Sequence, residues 1–142
     1  MKKLIRSSAL VLLVGLAVAG CGADKQEKLS LNLDTFTSPS GNIGCIADDS
    51  MVRCDIAKHD WTVKPNPKCQ LDWGNGLSVA GGPGRIVCAG DTTMNSGSAL
   101  ATDKINMVGP FECQSEGEDG MRCENMTTGH GFELSPERYD TF

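Results

Sequence analysis

Aromatic side chains are scarce in this sequence. Only seven are present, Phe36, Trp61, Trp73, Phe111, Phe132, Tyr139 and Phe142. A core built on so few large side chains is sparse and needs other support in a small domain. Basic residues are outnumbered 13 to 18, which argues against a nucleic-acid surface, since that requires basic patches. No two cysteines stand in C-x2-C or C-x4-C spacing, which argues against zinc. The D-x-[DN]-x-[DN]-G calcium loop and the G-x-S-x-G nucleophile elbow are both missing. From Phe36 onward no stretch keeps a capped helical period for ten residues. Neither a metal nor a cofactor is expected.

The apolar run that does exist lies at the start. Lys2, Lys3 and Arg6 precede an uncharged stretch from Ser7 to Gly20, whose apolar centre runs from Ala9 to Ala19. A membrane-spanning helix needs about 20 apolar residues. This stretch is shorter and ends in small residues, as a signal peptide does. Its end, Leu16-Ala17-Val18-Ala19-Gly20-Cys21, resembles the lipobox of bacterial lipoproteins. That resemblance implies cleavage before Cys21, diacylglycerol on the Cys21 thiol and often acylation of the freed amine. Two or more acyl chains hold a protein stably on a bilayer where one does so only marginally. The expected organisation is a signal peptide over 1–20, an anchor and tether over 21–35, and one domain over 36–142. The expected location is the outer face of the cell membrane.

Removing the signal leaves ten basic and eighteen acidic residues, a formal charge of −8. Such acidity gives no polybasic grip on anionic lipid, so the acyl groups must do the anchoring. With Cys21 lipidated, six cysteines remain: Cys45, Cys54, Cys69, Cys88, Cys113 and Cys123. An even set in a small exported domain reads as three disulfides.

Between 22 and 34 the chain is polar and reads as a tether, although the alternation Leu29, Leu31, Leu33 also permits a first strand. Beyond it the apolar period is two. Val52, Cys54 and Ile56 alternate with Arg53 and Asp55; Cys69, Leu71 and Trp73 alternate with Gln70 and Asp72; and Phe111 and Cys113 flank Glu112. Each cysteine falls on the apolar face, which places the disulfides in the core. Fourteen glycines fall between Phe36 and Phe142, many in turn signals such as Asn75-Gly76 and Gly81-Gly82-Pro83-Gly84. An all-β sandwich or barrel follows, with Ser135 to Tyr139 as the best candidate for a helical turn.

The chain also echoes itself. Ile43-Gly44-Cys45 followed by Val52-Arg53-Cys54-Asp55 is similar to Phe111-Glu112-Cys113 followed by Met121-Arg122-Cys123-Glu124, offset by 68 and 69 residues at the two cysteines. Each unit reads as a hairpin with its cysteines on adjacent strands, within disulfide reach. The pairing expected is Cys45–Cys54 and Cys113–Cys123, with Cys69–Cys88 by elimination.

Several words are distinctive: Phe36-Thr37-Ser38-Pro39-Ser40-Gly41-Asn42-Ile43-Gly44-Cys45, Val52-Arg53-Cys54-Asp55-Ile56, Trp73-Gly74, Cys88-Ala89-Gly90-Asp91-Thr92 and Thr128-Gly129-His130-Gly131-Phe132. In this order they resemble a family of small secreted actinobacterial proteins, often lipoproteins, of unknown function. The resemblance covers about Phe36 to Phe142. It implies an exported β-rich domain and brings no activity, ligand or catalytic residue.

Candidate chemistry is thin. His130 between glycines can be a ligand or a turn residue, and His59 in Lys58-His59-Asp60 reads as exposed. Asp91 could pair with His130, with Ser96 or Ser98 as nucleophile, or could simply cap a turn. Asp48-Asp49-Ser50 and Glu116 to Gly120 are acidic loop tips that suit solvated turns. Asn125-Met126-Thr127 fits a glycosylation sequon. The sequence therefore favours a non-catalytic envelope lipoprotein that binds a protein or glycan at the cell surface. The alternatives are an inhibitor of lysozyme-like or proteolytic enzymes, whose positive charge the acidic loops would steer, and a small hydrolase using Asp91 and His130.

Overall fold

The computed structural model describes residues 30–31, 35–95 and 97–142. The signal peptide expected over 1–20, Cys21 and Ser96 lie outside these. The strands are β1 (Ser30–Leu31), β2 (Thr35–Thr37), β3 (Ile43–Ala47), β4 (Val52–Ile56), β5 (Asp72–Val79), β6 (Arg85–Ala89), β7 (Ser98–Ala99), β8 (Ile105–Val108), β9 (Phe111–Glu116), β10 (Gly120–Asn125), β11 (Gly131–Leu134) and β12 (Tyr139–Thr141). No helix occurs among the described residues. The helical turn expected over Ser135 to Tyr139 is instead a turn over Ser135 to Arg138, closed by Ser135 N–H donating to Arg138 O (2.9 Å), with Tyr139 opening β12. Of the two readings of the Leu29–Leu33 stretch, a short strand forms over Ser30–Leu31.

The strands make two six-stranded sheets, ordered β7-β2-β3-β4-β5-β6 and β1-β8-β9-β10-β11-β12. Neighbours are antiparallel except at one edge of each sheet, where β7 runs parallel to β2 and β1 parallel to β8. The sheets share one core and touch through β5 against β10 and β11, which makes the fold a sandwich.

Each sheet is centred on a stapled hairpin. Cys45 pairs with Cys54 across β3 and β4, and Cys113 with Cys123 across β9 and β10, each directly opposite its partner in register. The one-residue difference in spacing is absorbed in the turns. In the first, Asp48 Oδ1 accepts from Ser50 N, Ser50 Oγ and Met51 N at 2.7, 2.6 and 3.0 Å; these bonds also hold its carboxyl below the usual range. In the second, Gly117 takes φ +68°. Both disulfides are buried beside Phe36, Phe111 and Phe132. Closing loops this short stabilises by just under ~3 kcal/mol each in the chain-entropy account, comparable to burying one large apolar side chain at about 1.5–3 kcal/mol.

The middle disulfide differs from expectation. Cys69 is bonded to Cys88, but Cys88 is exposed, Cys69 half-buried, and Leu71 is 59% exposed. The alternation around Cys69 does not mark a strand, because β5 begins only at Asp72 and the register of β5 on β6 shifts between Trp73 and Leu77. This staple ties a loop to an edge strand outside the core.

Asp55 also departs from the simple alternation. It is 4% exposed although it points away from the core cysteines. The segment after β6 crosses the outer face of this sheet and covers it. Thr93 N donates to Asp55 Oδ2 (3.0 Å), Asp55 N donates to Thr93 Oγ1 (3.1 Å), and that hydroxyl donates to Gly44 O (2.6 Å). A Cβ on Gly44 would overlap the Thr93 backbone, so glycine is required for this close approach.

Candidate functional site

An open groove of about 890 Å³ lies where segments of both sheets converge. One wall is the turn Ser40-Gly41-Asn42 between β2 and β3; another is the segment from Ala57 to Asp60 after β4. Met94 and Asn95 from the crossing segment, Asp119 from the β9–β10 tip and Pro136 from the β11–β12 loop complete it.

The β2–β3 turn is built from its own side chains. Ser38 Oγ accepts from Ile43 N (3.0 Å), Gly41 N donates to Ser38 O (2.9 Å), and Gly41 adopts φ +78°. Asn42 then fastens the next wall: its Nδ2 donates to Lys58 O and its Oδ1 accepts from Lys58 N, both at 3.0 Å. Ser40 N donates to Glu118 O (3.1 Å) and Asp60 N to Pro136 O (2.8 Å), so the first sheet's loops are bonded to the second's. The distinctive Pro-Ser-Gly-Asn word is thus a groove-forming turn.

His59 is half-buried rather than simply exposed. Its ring stacks on Trp61 at 3.7 Å and 17°, and Trp61 is fixed by Nε1 donating to Ser135 O (2.8 Å) and by packing on Tyr139. His59 Nδ1 lies 2.9 Å from Trp61 O. A carbonyl oxygen can only accept, so Nδ1 carries the hydrogen, and in the neutral ring Nε2 is left as an acceptor. Asn95 has φ +60°, the one left-handed non-glycine among the described residues, a conformation asparagine tolerates better than most.

Asp91 and His130 belong to different neighbourhoods. Asp91 Oδ1 accepts from Arg53 Nη1 (2.8 Å), and the Arg53 guanidinium holds its carboxyl below the usual range. Arg53 also binds Asp55 through two bonds, 3.0 and 2.7 Å. His130 sits on the other sheet, in the β10–β11 turn, where Gly129 takes the positive φ. The corresponding arginine there, Arg122, pairs with Glu124 and Glu133 and lies over the Phe142 ring. Ser98 is exposed in β7. Asn125 is buried, with Nδ2 donating to Ala80 O (2.9 Å) and Oδ1 accepting from Thr127 N (2.9 Å); its role is structural. No cluster of three or more His, Cys, Asp or Glu in metal-holding geometry occurs among the described residues.

Sequence reasoning missed the groove. Its signal was present in the Ser40-Gly41-Asn42 turn and in His59 two residues before Trp61, but nothing local joins them to Asn95, Asp119 and Pro136.

A family model described as a family of unknown function (DUF6636) matches residues 9–142. No curated protein and no solved structure matches the chain.

Proposed function

For a chain that belongs to the DUF6636 family of unknown function, we propose an exported, lipid-anchored protein whose β domain binds a partner at the cell surface through the groove beside His59. The observation that carries this reading is the groove itself. Segments from both sheets meet there and are held by backbone and side-chain bonds before any ligand arrives. Such preorganisation lowers the entropy lost on binding. Anchoring is supported by the positive start, the short apolar run and the Val18-Ala19-Gly20-Cys21 ending. Cys21 would carry the lipid, and the polar residues after it would set the domain off the headgroups.

The test has two parts. Metabolic labelling with an alkynyl fatty acid should tag the wild type and not Cys21→Ala; tagging that survives the substitution would sink the anchor. A photo-crosslinking amino acid at Asp119 should capture an envelope component that one at His130 does not; equal capture, or none, would sink the groove.

A second reading is an inhibitor of lysozyme-like or proteolytic enzymes. It is favoured by the acidic β9–β10 tip, where Glu116 and Glu118 are exposed beside Asp119. Inhibition of lysozyme that is lost in Glu118→Gln would support it over the first.

A further inference from the structure

The chemistry of the groove narrows its ligand, on the reading that this groove is the binding site. Several lining groups are already spent within the protein. The Asn42 amide is committed to Lys58, and Ser40 Oγ accepts from Asn42 N (3.1 Å) and sits 3.3 Å from Ser38 Oγ. His59 Nδ1 is committed to Trp61 O. The side-chain polar atoms left for a ligand are the Asp60 and Asp119 carboxylates, His59 Nε2, the Asn95 amide and Lys58 Nζ.

Acceptors dominate this set. Two carboxylates and the bare imidazole nitrogen only accept, Asn95 does both, and Lys58 donates. A ligand that satisfies them must bring several donors and still accept from Lys58 and Asn95. Vicinal hydroxyls do both. A carboxylate or phosphate ligand would meet Asp60 and Asp119 with like charge, in a domain already strongly acidic. Met94, Pro136 and Ala57 supply the apolar contact that the C–H face of a sugar ring needs. The volume falls within the roughly 300–1,000 Å³ of small-ligand sites, and the groove is open enough for a chain to pass through.

We infer that the groove binds an uncharged, hydroxyl-rich oligosaccharide, with Asp60, Asp119 and His59 Nε2 accepting from its hydroxyls. Asn95 and Lys58 donate to ring or hydroxyl oxygens.

Calorimetric titration of the purified full chain with chitotetraose, maltotetraose and mannotetraose tests this. At least one should bind with a dissociation constant of about 1 mM or tighter, and tetragalacturonate should not. Asp119→Asn and His59→Gln should each weaken the bound tetrasaccharide about tenfold or more, while His130→Gln leaves it unchanged; Asp119→Asn and His130→Gln should keep the wild-type Tm, and His59→Gln, which also gives up its stack on Trp61, is titrated well below its own Tm. The inference is overturned if no neutral tetrasaccharide binds, if the two groove variants bind as well as the wild type, or if tetragalacturonate binds as tightly as the neutral sugars. A protein captured by the crosslinker at 119, with no saccharide binding, would leave the groove standing and sink the saccharide alone. Failure of both would sink the groove with it.

Discussion

Arg53 and Arg122 occupy corresponding positions in the two hairpins, yet removing them should have very different effects. The Arg53 side chain is 13% exposed and its partner Asp55 only 6%. Arg53→Met would leave the Asp55 carboxylate held by the Thr93 backbone N–H and would release Asp91, in the crossing segment, from β4. Breaking a buried pair by removing one partner costs about 3–5 kcal/mol. For a domain near 110 residues this lowers Tm by roughly 12–20 °C. Arg122, Glu124 and Glu133 are each about a quarter exposed, so Arg122→Met should lose only about 1 kcal/mol from its ion pairs, with a further small loss of packing on Phe142. Adding Asp55→Asn to Arg53→Met removes the stranded charge but keeps an acceptor for Thr93 N, and should restore at least about 2 kcal/mol. Urea unfolding of the three variants beside the wild type measures all of this. Equal losses for the two single variants, or no recovery in the double, would refute the view that the crossing segment makes Asp55 a buried charge.

Two further outcomes follow from burial and charge. Under native conditions a mild thiol reductant should open Cys69–Cys88 first, because Cys88 is exposed while the other four bridging cysteines are at most 2% exposed; differential alkylation and peptide mapping would detect the order, and early loss of Cys45–Cys54 would count against it. Glu116 is an exposed residue, but the protein around its carboxyl removes part of its water; this partial desolvation first, and then the negative charge of Glu133, raise the carboxyl above the usual glutamate value. The fold therefore favours its protonated form, and that stabilisation is full below the ordinary glutamate pKa and lost as pH rises through the raised one. Glu116→Gln should raise the urea midpoint near pH 7 and leave it little changed near pH 3.5; the same gain at both pH values would remove charge as the cause.

The parts of the fold legible in the sequence are those fixed by local pattern. Period-two alternation and the repeated cysteine units point to both core hairpins, since a hairpin's register is set within a dozen residues. Around Cys69 the same alternation misled, because apolar spacing says nothing about whether a backbone is paired. Asp55 looked solvent-facing for a related reason: its cover, Thr93, lies 38 residues further on. Gly44 carried the only hint of that cover. The groove was illegible for the same reason, being assembled from five loops whose meeting depends on how one sheet sits on the other. His130, flanked by glycines, stands in a turn that Gly129 accounts for, while the histidine whose ring stacks and bonds in the groove is His59.

The edge strands tie the two halves of the chain to each other. β1 precedes the first half of the chain but completes the sheet of the second, and β7, which opens the second half, completes the sheet of the first. Neither half closes its own sheet. A single-copy precursor with this arrangement would reach six strands only by trading its first strand with a twin, a swapped homodimer. Joining the twins end to end makes the trade intramolecular, so that it no longer depends on protein concentration. The two halves differ in what lies over the shared arginine and acid: Thr93 covers Asp55 in one, and Arg122 lies against the Phe142 ring in the other.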